Sequence, residues 1–311
     1  MGAYMRDNAR IKHFVKIMKR DGALHLMMLL PALLVLVFNH IPLFGIAIAF
    51  QKFNPAKGFF QSEFVGLDNF KRLFQTPGFI QSLENTLIIA VSKMILGIVV
   101  PVTFALLLNE MRNKKVKRTV QTMVYLPHFI SWVLMAGIII EILNPTDGLV
   151  NQLLGNFGIE PVFFLGSNKI FRQVILATDT WKEFGYATII YMAALTGLDP
   201  SLYEAASLDG AGYLKKMWHI TLPGIKATII LLATLKIGSI LNAGFDQIFN
   251  LYSPITYESG DIIDTLVYRL GIGGGQFSLA TAAGLFKSVI SGSLLVISYK
   301  IAYKTSGYRV F

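Results

Sequence analysis

The chain has 311 residues, of which 54% are hydrophobic and 15% charged, and its formal net charge is +10. Soluble domains carry about 25% charged residues, so this composition predicts an integral membrane protein. Because the basic residues lie between apolar stretches, we expect them to orient the chain in a membrane and not to bind nucleic acid. The chain has no Cys, which excludes disulfides and thiolate-held metals, and its five His residues form no cluster that predicts a metal or cofactor site.

The N-terminal part of the chain combines a basic segment with a long apolar run. Residues 1–23 are polar and basic, and we expect them to form a cytoplasmic segment. Leu24–Phe50 is almost continuously apolar and much longer than the ~7–15 residues of a signal-peptide core. It therefore predicts a first transmembrane helix, with a kink near Pro42.

Five further apolar runs are each close to the ~20 residues that cross a hydrocarbon core. They are Thr86–Leu108, Val120–Leu143, Ile170–Leu195, Ile225–Phe249 and Leu279–Ala302. The sequence thus predicts an all-α membrane domain of six transmembrane helices over residues 24–304, followed by a cytoplasmic tail at 305–311. An even number of spans places both termini on one side of the membrane.

The distribution of Lys and Arg indicates which side that is. With a cytoplasmic N-terminus, the segments on the inner side hold seventeen basic residues and those on the outer side hold seven. Positive charge collects on the cytoplasmic side, so we expect both termini and the loop at residues 199–223 to be cytoplasmic.

That loop is the longest polar interruption in the second half of the chain. Its sequence from Glu204 to Pro223 is EAASLDGAGYLKKMWHITLP. Asp199-Pro200 is a helix-entry signal, and Gly210 allows a bend, so the pattern predicts helix, turn, helix. The loop is too polar to lie in lipid and too apolar to be an idle connection, and we expect it to dock on a partner. The alternative is an amphipathic loop that binds nothing.

The spacing within this loop resembles a known family signature. Glu-Ala-Ala, three residues, Gly, nine residues and Ile-x-Leu-Pro are similar, at every defined position, to the signature loop of permease subunits of bacterial ATP-binding-cassette importers. The segment HLMMLLPALLVLVFNHIPLFGIAIAFQKFNPAKGFF and Gly66–Phe70 resemble the subgroup that imports oligosaccharides and polysaccharides.

The resemblance implies a type I importer permease fold and a channel-forming subunit of an ATP-driven oligosaccharide importer. It implies three kinds of protein partner: a second homologous permease, two cytoplasmic ATPase subunits and an extracytoplasmic solute-binding protein. The implied substrate is an oligosaccharide. The chain contains no phosphate-binding loop, so we expect it not to be an enzyme and ATP hydrolysis to belong to separate subunits. The loop residues implied to couple to the ATPase are Glu204, Ala205, Ala206, Asp209, Gly210 and Tyr213.

Polar and ionisable residues inside the spans are the candidates for the substrate pathway. Such residues are costly in lipid, and a sugar needs aromatic faces and hydrogen-bonding groups. The candidates are His128, Trp132, Asp179, Trp181, Glu183, Ser239, Asn242 and Asp246, with Tyr186 as a further aromatic residue. The resemblance favours His128, Trp132 and Trp181 among them. Asn242 and Asp246, four residues apart, are expected to share a helix face.

Structural roles are the alternative for these residues. Trp and Tyr side chains often lie at lipid interfaces, and Asp179 and Lys182 have the spacing of a helical ion pair. Lys93 and Lys287 stand alone in their spans, where they would pair with the second permease or extend to an interface, and the latter is expected for Lys93.

Two questions about function stay open at this point. A proton-coupled secondary transporter that uses Asp179, Glu183 or Asp246 is the main alternative function. An intramembrane hydrolase is a weaker one, because the His residues offer no clear nucleophile–base pair. The sugar is also open: aromatic residues and carboxylates suit a neutral or cationic saccharide, whereas an acidic one would need Lys182, Lys236 or His128.

Overall fold

The structure, a computed structural model, describes residues 20–306. Most of the predicted N-terminal segment and of the predicted tail therefore lies outside the described residues. The described part is helical apart from one short antiparallel hairpin, in which β1 (Gln51–Lys52) pairs with β2 (Glu63–Phe64). The prediction of an all-α chain is confirmed.

The first predicted span is a continuous helical segment of 29 residues, Gly22–Phe50. It begins as α1 (Gly22–Val35), passes through a π-helical turn at Leu36–His40 and ends as a 3₁₀-helix at Ile41–Phe50. The geometry changes next to Pro42, which lacks the N–H that an α-helix needs there. Most of its apolar side chains are exposed in the chain alone, which leaves this helix free to face lipid or another subunit.

The remaining helices follow in chain order. They are α2 (Asp68–Gln75), α3 (Phe79–Asn109), α4 (Lys114–Tyr125), α5 (Trp132–Ile142), α6 (Leu149–Gly155), α7 (Phe171–Thr196), α8 (Pro200–Leu208), α9 (Tyr213–Lys216), α10 (Leu222–Gly238), α11 (Phe245–Leu251), α12 (Tyr257–Gly260), α13 (Ile263–Tyr268) and α14 (Phe277–Ser306). Short 3₁₀ or π turns extend α4 to Phe129, join α9 to α10 and follow α13.

Four helical segments in the described part are long and apolar enough to cross a membrane, and a bent pair of helices makes a fifth. The four are Gly22–Phe50, Phe79–Asn109, Tyr213–Gly238 and Phe277–Lys300. The remaining predicted span, the fourth (Ile170–Leu195), corresponds to α7, which has 26 residues but carries Asp179, Lys182 and Glu183 near its centre. Six spans therefore remain a prediction. If α7 is one of them, its charged side chains need polar or charged partners inside the membrane.

The third predicted span, Val120–Leu143, is wrong as a single straight helix. The helix that begins at Lys114 ends at Phe129, and α5 leaves it at an angle of 106°. Pro127 lies in the 3₁₀ turn that ends the first helix, and the Ser131 side chain accepts a hydrogen bond from the Leu134 amide to start the second.

The fifth predicted span, Ile225–Phe249, is also broken. Helix α10 ends at Gly238, a non-helical segment follows, and α11 starts after Gly244, whose φ of +94° belongs to the left-handed region. Asn242 therefore lies in the break and Asp246 on α11. The prediction that they share a helix face is wrong because the helix does not continue between them.

Two apolar clusters bury the centre of the fold along α3 and α7, which pack on each other. One cluster contains Ile89 and Ile175, and the other contains Ala105 and Tyr191. The stretches of α3 and α7 between these clusters are less tightly filled, and the candidate site lies there.

Candidate functional site

A cavity of about 290 Å³ lies between α3, α7 and the break that separates α10 from α11. Its polar lining includes Lys93, Asp179, Glu183, Tyr186, Lys236 and Asn242. Ser239 also lines it. The structure thus brings four of the eight predicted pathway residues, Asp179, Glu183, Ser239 and Asn242, onto one cavity.

Lys93 holds the cavity wall together from α3. Its Nζ lies 2.9 Å from Asp179 Oδ1 and donates hydrogen bonds to the Ala243 carbonyl, at 2.8 Å, and to Gln247 Oε1. Its side chain is only 11% exposed, so the expectation that it extends to a membrane interface is wrong. The ion pair compensates the two charges. The hydrogen bonds from Lys93 to Ala243 and Gln247 hold the non-helical segment of the fifth predicted span in place.

Gln247 completes this anchor on the side of α11. Its Nε2 donates to the Ile175 carbonyl and to Thr178 Oγ1, each at 2.8 Å, and its side chain is fully buried. Three separate parts of the chain therefore meet at one hydrogen-bonded network, which gives the cavity a defined shape.

Glu183 is held by a second group of contacts. His128 Nδ1 lies 2.8 Å from Glu183 Oε2, and Lys182 Nζ lies 3.3 Å from Oε1. Lys182 also donates to the His128 carbonyl at 2.7 Å. The ion pair considered between Asp179 and Lys182 is therefore wrong, because Lys182 turns towards Glu183 while Asp179 binds Lys93.

Two of the predicted pathway residues, His128 and Trp132, contact the side chains around Glu183. The His128 ring stacks on Tyr186 with ring centres 4.0 Å apart and planes 3° apart. The Trp132 ring lies 5.5 Å from Lys182 Nζ, the geometry of a cation–π contact, and packs against the apolar core. His128 and Trp132 thus position cavity residues, although neither lines the cavity itself.

Trp181 and Asp246 are not brought to this cavity. Glu183 and Tyr186 follow Asp179 by four and seven residues and share its helix face, whereas Trp181 follows by two residues and points about 200° away. Trp181 is 44% exposed on that other face. Asp246 is exposed on α11, where its neighbours Ala243 and Gln247 take the inward positions.

The sequence reasoning missed the contribution of α3. Lys93, Met94 and Gly97 line the cavity, and the signal was a single Lys in an otherwise apolar run. The expectation that Lys287 pairs with the second permease or extends to an interface is also wrong. Its Nζ lies 2.5 Å from Asp264 Oδ1, so its carboxylate partner is in this chain.

The second candidate site is the loop at residues 199–223, which folds as helix, turn, helix as predicted. Asp199 caps α8 by accepting a hydrogen bond from the Ser201 amide at 2.9 Å, and that bond lowers the pKa of Asp199. Gly210 has a φ of +72°. The amides of Gly210 and Ala211 return to the carbonyls of Ser207 and Ala206, which is a Schellman ending of the helix.

Side-chain contacts hold the two halves of the loop against each other. Lys216 Nζ donates to Ser207 Oγ at 2.6 Å, and the Tyr203 hydroxyl lies 3.0 Å from Thr221 Oγ1. These contacts and the helix ending give the turn a defined conformation.

This loop presents apolar side chains to the outside. We call the side chains of Leu202, Leu208, Leu214 and Trp218 the loop face; they are 53%, 90%, 63% and 63% exposed. Of the predicted coupling residues, Glu204, Ala205, Asp209, Gly210 and Tyr213 are exposed, and Ala206 is half-buried. Large apolar side chains that stay exposed on a polar loop are typical of an interaction site.

Comparison with known proteins identifies the family of the chain. Residues 97–304 match the family described as "binding-protein-dependent transport system inner membrane component". The chain is 43% identical over 281 residues to the polygalacturonan/rhamnogalacturonan transport system permease protein YteP of Bacillus subtilis (strain 168), which covers 90% of this chain and 88% of that protein.

Two solved structures have the same fold. A bacterial ABC transporter involved in the import of the acidic polysaccharide alginate matches with a TM-score of 0.87 and 37% identity, over 94% of this chain and 99% of that chain. The alginate transporter in complex with an alginate pentasaccharide-bound periplasmic protein matches with a TM-score of 0.86 and 37% identity, over 95% and 99%. The resemblance to sugar importer permeases is thereby confirmed, and the chain belongs to the family of inner membrane components of binding-protein-dependent transport systems.

Proposed function

We propose that this chain forms half of the translocation pathway of an ATP-driven oligosaccharide importer in the cytoplasmic membrane. Its partners are a second homologous permease, two cytoplasmic ATPase subunits and an extracytoplasmic solute-binding protein that delivers the sugar. The observation that carries the proposal is the loop face, a set of exposed apolar side chains on a folded loop that is too polar for lipid.

The loop couples ATP hydrolysis to the spans in this proposal. Glu204, Ala205, Ala206, Asp209, Gly210 and Tyr213 belong to the surface that meets the ATPase, with Glu204 facing a basic residue there. Helix α9 runs through a π turn directly into α10, so a displacement of the loop is transmitted to the span that ends at the cavity. ATP binding moves the loop, the spans rock, and the cavity opens to the other side of the membrane.

The proposed substrate is an oligosaccharide that carries carboxylates. YteP is named for polygalacturonan and rhamnogalacturonan transport, and the solved relative imports an acidic polysaccharide. His128, Trp132, Asp179, Glu183, Ser239 and Asn242 form or support the cavity in which we place the sugar. Trp181 and Asp246 lie on other faces, and we place them outside this part of the pathway.

The contacts in the cavity argue against the proton-coupled alternative. A proton-carrying carboxylate must exchange its proton during transport, yet Asp179 and Glu183 are each compensated by a cation of the same chain. Asp246 is exposed and lines no part of the cavity.

Uptake by proteoliposomes tests the proposal. The assembled transporter is supplied with ATP on the ATPase side and with sugar-loaded binding protein on the other side. We expect uptake that needs both, stops with vanadate and continues with a protonophore, and no ATPase activity from this chain alone. Uptake driven by a pH gradient without ATP contradicts the proposal and favours the proton-coupled alternative.

The orientation of the chain has its own test. We propose that both termini and the loop at residues 199–223 are cytoplasmic, because the basic residues collect on that side. The chain contains no Cys, so engineered cysteines label cleanly. Ser207→Cys is expected to react only from the cytoplasmic side and Gly274→Cys only from outside, and the reverse pattern contradicts the orientation.

A further inference from the structure

The charged side chains that line the cavity differ in how they are compensated. Lys93 pairs with Asp179, and Glu183 is held by His128 and Lys182. Lys236 is the fourth charged residue of the lining, and its Nζ has no hydrogen-bond or ion-pair partner among residues 20–306. The cavity therefore contains one cation to which residues 20–306 offer no anion.

The position of Lys236 keeps its ammonium group inside the cavity. The residue lies in the last turn of α10, where the end of a helix favours a positive charge. Its Nζ reaches across to Gly97 of α3 and lies 2.6 Å from the point that a Cβ on Gly97 would occupy. Because Gly97 has no side chain, α3 leaves the space into which this ammonium group extends.

A cation in a cavity of low dielectric constant needs an anion or water to compensate it. The cavity carboxylates of this chain are already engaged. Of the three side chains that an acidic sugar could use, Lys182 and His128 are engaged with Glu183, and Lys236 is the one of the three without a partner among residues 20–306.

We propose that Lys236 binds the carboxylate of a uronate unit of the substrate and gives the cavity its preference for acidic over neutral oligosaccharides. This inference rests on the proposed function and adds the residue that makes the cavity prefer a negatively charged sugar. The ammonium group donates a charge-assisted hydrogen bond to the carboxylate, and the loss of such a bond weakens binding about 10- to 100-fold. A neutral ester at the same position offers no anion and gains little from Lys236.

The experiment compares trigalacturonate with its fully methyl-esterified counterpart, which has the same sugar skeleton without charge. The assembled transporter in proteoliposomes is expected to favour the acid. Lys236→Met is expected to lower kcat/KM for the acid about 10- to 100-fold and to leave uptake of the ester unchanged, which also shows that the variant is folded. Lys236→Arg is expected to keep the preference, because it keeps the charge.

Lys226→Met is the matched control, since it removes an equal charge from an exposed position on the same helix, away from the cavity. We expect wild-type uptake of both sugars from it. Equal losses for acid and ester in Lys236→Met, or no loss for either, overturn the role of Lys236 and leave the proposed function standing. Equal losses are also what a pairing of Lys236 with a carboxylate of the second permease predicts. Failure of the wild-type transporter to take up any uronate oligosaccharide overturns the proposed substrate class and this inference with it.

Discussion

The side chains of the cavity and those of the loop at residues 199–223 differ in whether they find partners within this chain. In the cavity, Lys93, Asp179 and Glu183 each have a partner of opposite charge within the chain. In the loop, Leu208, Leu214 and Trp218 remain largely exposed although the loop is folded as helix, turn, helix. The difference teaches that this chain compensates most of the charges in its cavity wall, Lys236 excepted, whereas it leaves the apolar side chains of the loop face uncovered.

Breaking the cavity network is expected to have the largest effect of the changes considered. Lys93→Met leaves the Asp179 carboxylate without its cation in a partly buried site, which costs about 3–5 kcal/mol of folding free energy. The measurement is the thermal unfolding of the detergent-solubilised complex. The double variant Lys93→Met/Asp179→Leu removes both charges and is expected to recover most of the loss.

Lys71→Met is the control for this experiment. Lys71 and Asp68 form an exposed pair, with side chains 76% and 63% exposed, and such pairs contribute about 0–1 kcal/mol. A loss from Lys93→Met no larger than that from Lys71→Met contradicts the anchoring role of Lys93.

The next largest effect is expected at the turn of the loop. Gly210→Asp places a side chain at a φ of +72° and adds a charge beside the loop face, and a misfit at a docked surface costs about 2–5 kcal/mol. We expect the ATPase to be lost on co-purification and uptake to fall to background, while the spans still insert.

Gly212→Asp separates backbone strain from added charge. Gly212 has an ordinary φ of −70° at the start of α9, a position where Asp is favoured. It is expected to retain most of the co-purification. Full retention of ATPase and uptake by Gly210→Asp removes this turn from the coupling surface.

These two regions also differ in how well the sequence predicts them. The loop is predictable because its signals are local: Asp199-Pro200 starts a helix and Gly210 ends it, and the structure contains both features. The cavity depends on contacts between residues far apart in the chain. No spacing rule links Lys93 to Asp179, and the break after Gly238 lies in an apolar run with Gly244 as its main signal.

The smallest effect concerns the two faces of α7. Tyr186 lines the cavity and stacks on His128, and the loss of such a ring contact costs about 0.5–1.5 kcal/mol. We expect Tyr186→Ala to lower kcat/KM for uptake up to about tenfold. Trp181→Ala, on the opposite face, is expected to transport at the wild-type rate at equal expression. A larger loss from Trp181→Ala reverses the assignment of the two faces.

The most direct test of the division between cavity and loop is the labelling rate of two single cysteines in the assembled transporter without nucleotide. The chain contains no natural Cys, so Leu208→Cys and Asn242→Cys report on the loop and the cavity separately. The account predicts that the ATPase subunits slow maleimide labelling at residue 208 only, and that sugar slows it at residue 242 only. Protection of both positions by the same addition, or full reactivity of residue 208 in the assembled complex, would contradict it.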